Sequence, residues 1–173
     1  MTTFVALLRS VNVGGTGKLL MSDLKSQCEA AGFKNVRTFI ASGNVLFESK
    51  AAEPKVKHAL ERQLSAFVGK PVIVLVRTAA EMQAIAKANP FPKSNLSGAV
   101  AIFLNEPPPK DELKSLTGRT VEQIHFGKRE IYVDYRGTLA HSKLKIPCAR
   151  AGTARNLNTV ARLAALAAAG AGG

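Results

Sequence analysis

The sequence contains no tryptophan and only two cysteines, Cys28 and Cys148, which lie far apart in the chain. Neither cysteine has a partner at the spacing of a disulfide framework or a zinc site, so we expect no structural disulfide and no bound metal. No apolar run reaches the roughly 20 residues that a membrane-spanning helix needs, and the apolar stretch from Phe4 to Leu8 is too short for a secretory signal. We therefore expect a cytoplasmic protein with no membrane partner.

Acidic residues are absent from the C-terminal part of the chain. The whole sequence has 24 Lys and Arg residues against 12 Asp and Glu residues, a formal net charge of +12. The segment from Tyr135 to Gly173 contains no acid but six bases, which are Arg136, Lys143, Lys145, Arg150, Arg155 and Arg162. Such a segment attracts polyanions, phosphorylated metabolites or acidic partners, although a solvated basic face is the simpler interpretation.

Hydrophobic patterning in the first part of the chain predicts an α+β fold. With 46% hydrophobic and 21% charged residues, the 173-residue chain has an ordinary globular composition. The predicted elements are strand 3–9, helix 22–31 with Ser22 as its N-cap, strands 35–40 and 44–48, helix 54–68 closed by Gly69, and strand 71–77. The order strand, helix, strand, strand, helix, strand is the split βαβ or ferredoxin-like arrangement.

The rest of the chain echoes this order. After a helix at 79–88, the prolines of Asn89-Pro90-Phe91-Pro92 interrupt regular structure. The predicted elements beyond them are strand 98–104, a short helix at 109–116, a hairpin of 120–126 and 129–135 turning at Gly127-Lys128, and a final helix at 156–169. We therefore predict two tandem ferredoxin-like α/β-plait subdomains, at 1–78 and 79–173, with the C-terminal helix in the second.

Familiar cofactor motifs are incomplete in this sequence. Gly17-Lys18 lacks the earlier glycine and the following Ser or Thr of a P-loop, and Gly15-Thr16-Gly17 lacks the third glycine of a dinucleotide fingerprint. The three histidines, His58, His125 and His141, are too scattered to form a metal-ligand set that spacing alone reveals. Phe39 and Phe47 are more typical of a core than of an RNA-binding sheet, because the basic-Gly-aromatic segment is absent. We expect no cofactor.

Three polar segments are candidates for ligand binding. They are the glycine-rich loop after the first strand, the turn near residue 43, and the region around the start of the last helix. The glycine loop can expose N–H groups to an anion, and so can a helix N-terminus. A plain turn at Ser42 to Asn44 and simple capping by Thr153 or Asn156 are the structural alternatives. The candidate residues are Arg9, Asn12, Gly14, Gly15, Lys18, Ser42, Asn44, Lys143, Arg155, Asn156 and Asn158.

Five sequence blocks together resemble a known family. They are Leu7 to Gly15 (LLRSVNVGG), Thr38 to Val45 (TFIASGNV), Asn89-Pro90-Phe91, Ser142-Lys143-Leu144 and Thr153 to Val160 (TARNLNTV). In this order they are similar to the bacterial family called domain of unknown function 1697. The resemblance implies two tandem ferredoxin-like subdomains and no established activity. Two positions depart from the family pattern, because Ser10 replaces its usual glycine and Leu157 its usual tryptophan.

Two functional hypotheses follow from these observations. The first is a binding module for an anionic or phosphorylated ligand, either a small molecule or nucleic acid, in which bases supply charge and asparagines supply oriented hydrogen bonds. The alternative is a small-molecule enzyme with a site between the glycine-rich loop and the start of the last helix. Because these blocks contain no carboxylate or histidine, only Ser42, Ser142 and Lys143 are candidates for a nucleophile or base.

Overall fold

The computed structural model describes residues 1–9, 19–39, 43–91 and 98–171. Eight strands, four α-helices and two short 3-10 helices occur within these ranges. The strands are β1 (Thr2–Arg9), β2 (Lys34–Thr38), β3 (Asn44–Ser49), β4 (Ile73–Thr78), β5 (Ala99–Phe103), β6 (Gln123–Phe126), β7 (Glu130–Asp134) and β8 (Thr153–Asn156). The α-helices are α1 (Met21–Ala30), α2 (Glu53–Val68), α3 (Ala79–Lys87) and α4 (Leu157–Ala171). None of these helices is long and apolar enough to cross a membrane.

The contacts divide the chain into two compact units. The first unit comprises Met1–Gln83 and Leu163–Gly173, and the second comprises Ala84–Arg162. Helix α4 therefore begins in the second unit, and its residues from Leu163 onward belong to the first. The subdomain limits at 1–78 and 79–173 stay a prediction from the sequence.

The first unit contains a four-stranded antiparallel sheet in the order β2-β3-β1-β4. Alternate residues of β1, one of its two central strands, belong to the apolar core, as the period of two along a strand requires. They are Phe4, Ala6 and Leu8. Helices α1 and α2 supply the other half of this core through their buried stripes, Leu24 and Cys28 from α1 and Val56, Leu60 and Leu64 from α2. The predicted split βαβ order is confirmed here.

Helix ends in the first unit follow the sequence signals in part. Gly32 and Gly69 both have positive φ, at 92° and 84°, as expected after the last turn of a helix. Ser22 is not the N-cap, because α1 begins at Met21 and the capping position is Leu20, which provides no side-chain hydrogen bond. Helix α3 carries a capping box instead, in which Thr78 and Glu81 exchange hydrogen bonds of 2.9 and 3.1 Å.

Strand β4 lies at the edge of the first sheet, and side chains of α2 cover its outer backbone. The Glu61 carboxylate accepts a hydrogen bond from the Val74 N–H at 2.9 Å, and Lys57 Nζ donates to the Val74 carbonyl at 2.8 Å. Lys57 and Glu61 also form an ion pair of 2.7 Å with each other. The Ser65 hydroxyl accepts from the Val72 N–H in the same way. We call these side-chain bonds from α2 the clamp. The clamp occupies backbone groups of Val72 and Val74 that would otherwise be open to pairing with another strand.

The second unit repeats the strand order of the first. Its antiparallel sheet runs β6-β7-β5-β8, which has the same succession of elements as β2-β3-β1-β4. The expected tandem of ferredoxin-like sheets is therefore confirmed. One face of this sheet carries the buried apolar residues Val100, Ile102, Ile131 and Val133.

The layer over that apolar face differs from the prediction. In place of a helix at 109–116 the chain forms a 3-10 helix at Glu112–Ser115. Pro107, Pro108 and Pro109 precede it, and a residue that comes before a proline is disfavoured in the α conformation, which disfavours the extension of a helix back through this segment. A second 3-10 helix, Pro147–Ala151, lies between β7 and β8, where the first unit has α2 between β3 and β4. The sequence reading missed both this element and β8. We name these two elements the first and second 3-10 helices.

Candidate functional site

Five of the residues predicted to bind a ligand lie outside the described ranges, namely Asn12, Gly14, Gly15, Lys18 and Ser42. The other six can be placed. Arg9 ends β1 and is half-buried, Asn44 begins β3, Arg155 and Asn156 lie in β8, Asn158 lies in the first turn of α4, and Lys143 is exposed in the segment that precedes the second 3-10 helix.

Arg155 lies in the sheet of the second unit, whereas the sequence placed it in a loop before the last helix. In β8 it is in register with Ala101 of β5, and its side chain is 8% exposed. Its Nη1 donates to the Thr153 hydroxyl at 2.8 Å and to the Ala154 carbonyl at 2.9 Å. Burial lowers the pKa of Arg155 to about 10, so the guanidinium remains charged at neutral pH. The residue is a buried cation at the edge strand of the sheet.

Asn156 caps helix α4. Its Oδ1 accepts a hydrogen bond of 2.8 Å from the Thr159 N–H, three residues ahead. This bond satisfies one of the donors that a helix leaves open at its start. Asn158, by contrast, is exposed in the first turn of the helix. Of the two interpretations that the sequence left open for Asn156, capping is the one that the observed hydrogen bond represents.

Asn44 is fully buried and closes the connection between β2 and β3. Its Nδ2 donates to the Phe39 carbonyl at 3.0 Å, and its own carbonyl accepts from the Phe39 N–H at 3.0 Å. The preceding Gly43 has a φ of 80°, and a Cβ there would lie 3.0 Å from the Cβ of Leu8. These contacts join Asn44 to Phe39 and place Gly43 against β1, which gives both residues a structural role.

Ser142 is bonded to a carboxylate that the sequence reading did not single out. Its hydroxyl donates to Oε1 of Glu122 at 2.7 Å, and the Thr120 N–H donates to Oε2 at 2.6 Å. The Ser142 hydrogen bond, followed by the backbone bonds, lowers the pKa of Glu122 to about 2. A carboxylate of that acidity is a weak proton acceptor at neutral pH, so this pair lacks the base that a serine nucleophile needs.

The second unit turns most of its carboxylates inward. Six acidic residues occur between Ala84 and Arg162, and four of them are buried, namely Glu112, Glu122, Glu130 and Asp134. Only Glu106 and Asp111 are exposed. The exposed bases of the same unit include Lys110, Lys114, Arg119, Lys128, Arg136, Lys143, Lys145 and Arg150. The accessible surface is therefore more basic than the composition of the unit indicates.

The face that Glu130 and Asp134 occupy follows from their positions in β7. Ile131 and Val133 point into the apolar core of the unit, so the alternating residues Glu130 and Asp134 lie on the opposite face. The alternation of Glu-Ile-Tyr-Val-Asp is a sequence signal for this facing. It does not reveal that the second face is buried as well, because that depends on the tertiary structure.

The histidines and aromatic residues do not form a recognisable centre in the described part of the chain. His125 makes an edge contact with Phe91, with ring centroids 5.4 Å apart. Phe47 is buried and stacks on Phe33 with centroids 4.2 Å apart, as expected for a core residue. Within the described ranges, no group of three or more His, Cys, Asp or Glu residues could hold a metal ion.

These observations define an α+β protein built from two ferredoxin-like sheets, with a basic second unit. The model of a family described as "Protein of unknown function (DUF1697)" matches residues 1–132, and the chain belongs to this family. The structure is similar to that of the conserved bacterial protein SP0830 from Streptococcus pneumoniae, with a TM-score of 0.80 and 22% sequence identity over 96% of this chain and 98% of the other. That likeness shows the shared fold. A search of the curated proteins gives no match.

Proposed function

We propose that this protein acts in the cytoplasm as a binding module for an anionic or phosphorylated ligand, nucleic acid included, through the basic surface of its second unit. The observation that carries the proposal is the uneven burial of charge in that unit. Four of its six carboxylates are buried, while bases such as Lys143, Arg136 and Lys128 are exposed. A surface with this imbalance raises the local concentration of anions.

The polar environment of the buried carboxylates supports the same conclusion. Glu122 accepts hydrogen bonds from Ser142 and Thr120, and Glu112 accepts one from the Cys148 N–H at 2.7 Å. These hydrogen bonds compete with any ion pair between Glu112 or Glu122 and the exposed bases. Exposed bases such as Lys128, Arg136 and Lys143 face solvent and any ligand that approaches from it. Both cysteines are free thiols, which is compatible with a reducing cytoplasm.

Charge reversal on the two units provides the test. We would measure binding of a short fluorescent oligonucleotide and of adenosine triphosphate to the full chain at low and physiological salt. Lys143→Glu, in the second unit, is expected to weaken binding several-fold. Lys70→Glu, an exposed position of the first unit with the same change in charge, is expected to leave it nearly unchanged.

The salt dependence separates the two kinds of ligand. Oligonucleotide affinity is expected to fall with a logarithmic slope of roughly −0.7 for every phosphate contacted in a single strand. Equal losses in Lys143→Glu and Lys70→Glu would mean that net charge alone governs binding, and the proposal would then be wrong. Absence of binding to either probe at low salt would also contradict it.

A further inference from the structure

The second unit contains a groove of about 640 Å³ between its two 3-10 helices. Ser115 and Thr117 form one wall, and Lys145, Ile146, Pro147 and Arg150 contribute to the other. We propose that this groove is a binding site for a small organic anion, a carboxylate or phosphate monoester that carries an apolar body. The proposal rests on the proposed function above, because Lys145 and Arg150 belong to the basic surface of the second unit, and it narrows that function to one groove and to a small ligand.

The two walls are held together by backbone hydrogen bonds. Thr117 and Lys145 form an isolated antiparallel bridge, in which the Thr117 N–H donates to the Lys145 carbonyl at 3.2 Å and the Lys145 N–H donates back at 2.8 Å. The neighbouring Gly118 has a φ of 72°, and a Cβ at this position would collide with the Lys143 carbonyl. The groove therefore has a fixed base that does not need a ligand to form.

A buried carboxylate joins the two 3-10 helices behind the groove. Glu112 of the first 3-10 helix is 5% exposed and accepts the Cys148 N–H of the second at 2.7 Å. Burial and the neighbouring Glu112 raise the pKa of the Cys148 thiol to about 11, so this thiol is neutral near pH 7. It adds no negative charge to the groove.

The lining combines cations, hydroxyls and apolar groups, and none of the described lining residues is acidic. Lys145 and Arg150 are exposed, and an arginine fork suits the two oxygens of a carboxylate or phosphate. Ser115 and Thr117 offer hydroxyl groups on the opposite wall. Ile146, which is buried as part of the apolar core, and Pro147 provide the surface against which an apolar ligand body would pack.

The dimensions and chemistry favour a small molecule over a nucleic acid. The volume lies within the range of about 300 to 1,000 Å³ that is usual for small-molecule sites. The lining contains no aromatic side chain, whereas single-stranded nucleic acids are usually held by bases stacked on aromatic residues. A ligand with one anionic group and one apolar group uses both halves of the lining.

Phenyl phosphate is a suitable probe, with inorganic phosphate as the matched anion that lacks an apolar body. We would measure both affinities by isothermal titration calorimetry on the full chain at physiological salt. Phenyl phosphate is expected to bind roughly 10-fold more tightly than inorganic phosphate, because only the former buries apolar surface on Ile146 and Pro147. Equal affinities for the two anions, or no binding of phenyl phosphate, would overturn the proposal.

Two double variants then separate the groove from the general basic surface. Lys145→Gln with Arg150→Gln removes the two cations of the groove, and Lys128→Gln with Arg136→Gln removes the same charges elsewhere in the second unit. The first pair is expected to weaken phenyl phosphate binding roughly 10-fold or more, and the second less than about 2-fold. Equal weakening by both pairs would contradict a defined site.

A third variant tests the site without removing a base. Ser115→Glu places a carboxylate on an exposed position of the opposite wall. It is expected to abolish phenyl phosphate binding while leaving the oligonucleotide affinity at low salt within about 2-fold of the starting protein. Thermal unfolding of each variant tests whether it is folded. Retained phenyl phosphate binding in a folded Ser115→Glu protein would exclude the groove as the site.

Discussion

The hydroxyl of Ser142 donates a 2.7 Å hydrogen bond to the carboxylate of Glu122, twenty residues earlier in the chain. The same carboxylate accepts from the Thr120 N–H, and the Arg119 Nε donates to the Glu122 carbonyl at 3.0 Å. Glu122 therefore connects the chain before β6 with the segment that leads to the second 3-10 helix. Glu122, the hydrogen-bond partner of the candidate nucleophile Ser142, thus contributes to the fold of the second unit.

The stability contributed by Glu122 depends on pH. Because its folded-state pKa of about 2 lies below the usual value of 4.5, the ionised carboxylate stabilises the folded protein above pH 4.5, and this contribution is lost as the pH falls towards 2. Glu122→Gln is therefore expected to be less stable than the starting protein at pH 7 and to approach it at pH 2.5. Urea denaturation at both pH values measures the difference.

The control for this experiment is Glu106→Gln, which removes a carboxylate from an exposed position of the same unit. It is expected to change stability little at either pH. A stability difference between Glu122→Gln and the starting protein that is the same at both pH values would show that the carboxylate charge is not what the hydrogen bonds require.

Asn156 and Asn158 are chemically identical residues at opposite sides of a helix boundary. Asn156→Ala removes the cap on α4 and is expected to cost about 1 kcal/mol in the free energy of unfolding. Asn158→Ala, at an exposed helical position, is expected to stay within about 0.5 kcal/mol of the starting protein. Chemical denaturation of both variants measures the two costs. A larger cost for Asn158→Ala would contradict the assignment of Asn156 as the cap.

The clamp on strand β4 predicts an effect on self-association as well as on stability. Glu61→Ala leaves the Val74 N–H without its acceptor, with an expected cost of about 1 kcal/mol. Since an open strand edge can pair with another chain, we also expect more aggregation on heating, measured by light scattering. Glu61→Gln keeps an oxygen acceptor, so its stability and its light scattering are expected to fall between those of the starting protein and Glu61→Ala. Identical scattering for all three proteins would argue against the clamp.

Two glycines with positive φ differ in the space around them. Gly118→Ala strains the backbone and places a methyl group against the Lys143 carbonyl, so we expect a loss of about 2 kcal/mol or more. Gly137→Ala has a similar φ, 83°, but nothing within 4 Å of the new Cβ, and its expected cost is about 1 kcal/mol. Thermal unfolding compares them. Equal costs would show that the Gly118 contact relaxes readily.

The sequence predicted the first unit better than the second, and the helices explain why. The stripe of Val56, Leu60 and Leu64 has helical spacing over about two and a half turns, and Gly69 marks the end of the helix, so the sequence alone predicts α2. The second unit covers its sheet with short 3-10 helices that contain too few residues to show a period. Strand β8, with the sequence Thr-Ala-Arg-Asn, lacks the β-branched or aromatic run that identifies most strands.

The candidate site was less predictable than the fold. Asn44 and Asn156 are candidates from the sequence because they are polar residues beside a glycine or a helix start, and such positions are typical of turns and caps as well as of ligand sites. The hydrogen bonds to Phe39 and Thr159 that distinguish these roles exist only in the folded chain. The burial of Glu112 and Glu122 is equally hard to predict from the sequence, because both residues lie in polar segments without a clear hydrophobic period.

The two units pair one strand order with different outer layers, and we expect this difference to give their backbones different amide-exchange behaviour. The amides of α1 and α2 are held in regular helices, whereas the 3-10 helices at Glu112–Ser115 and Pro147–Ala151 form few backbone bonds and rely on the Thr117–Lys145 bridge and the Glu112 carboxylate. Local opening of such a layer requires little free energy compared with global unfolding. We therefore expect the amides of the two 3-10 helices to exchange with solvent faster than those of α1 and α2, while the Thr117–Lys145 bridge and the sheet beneath stay protected.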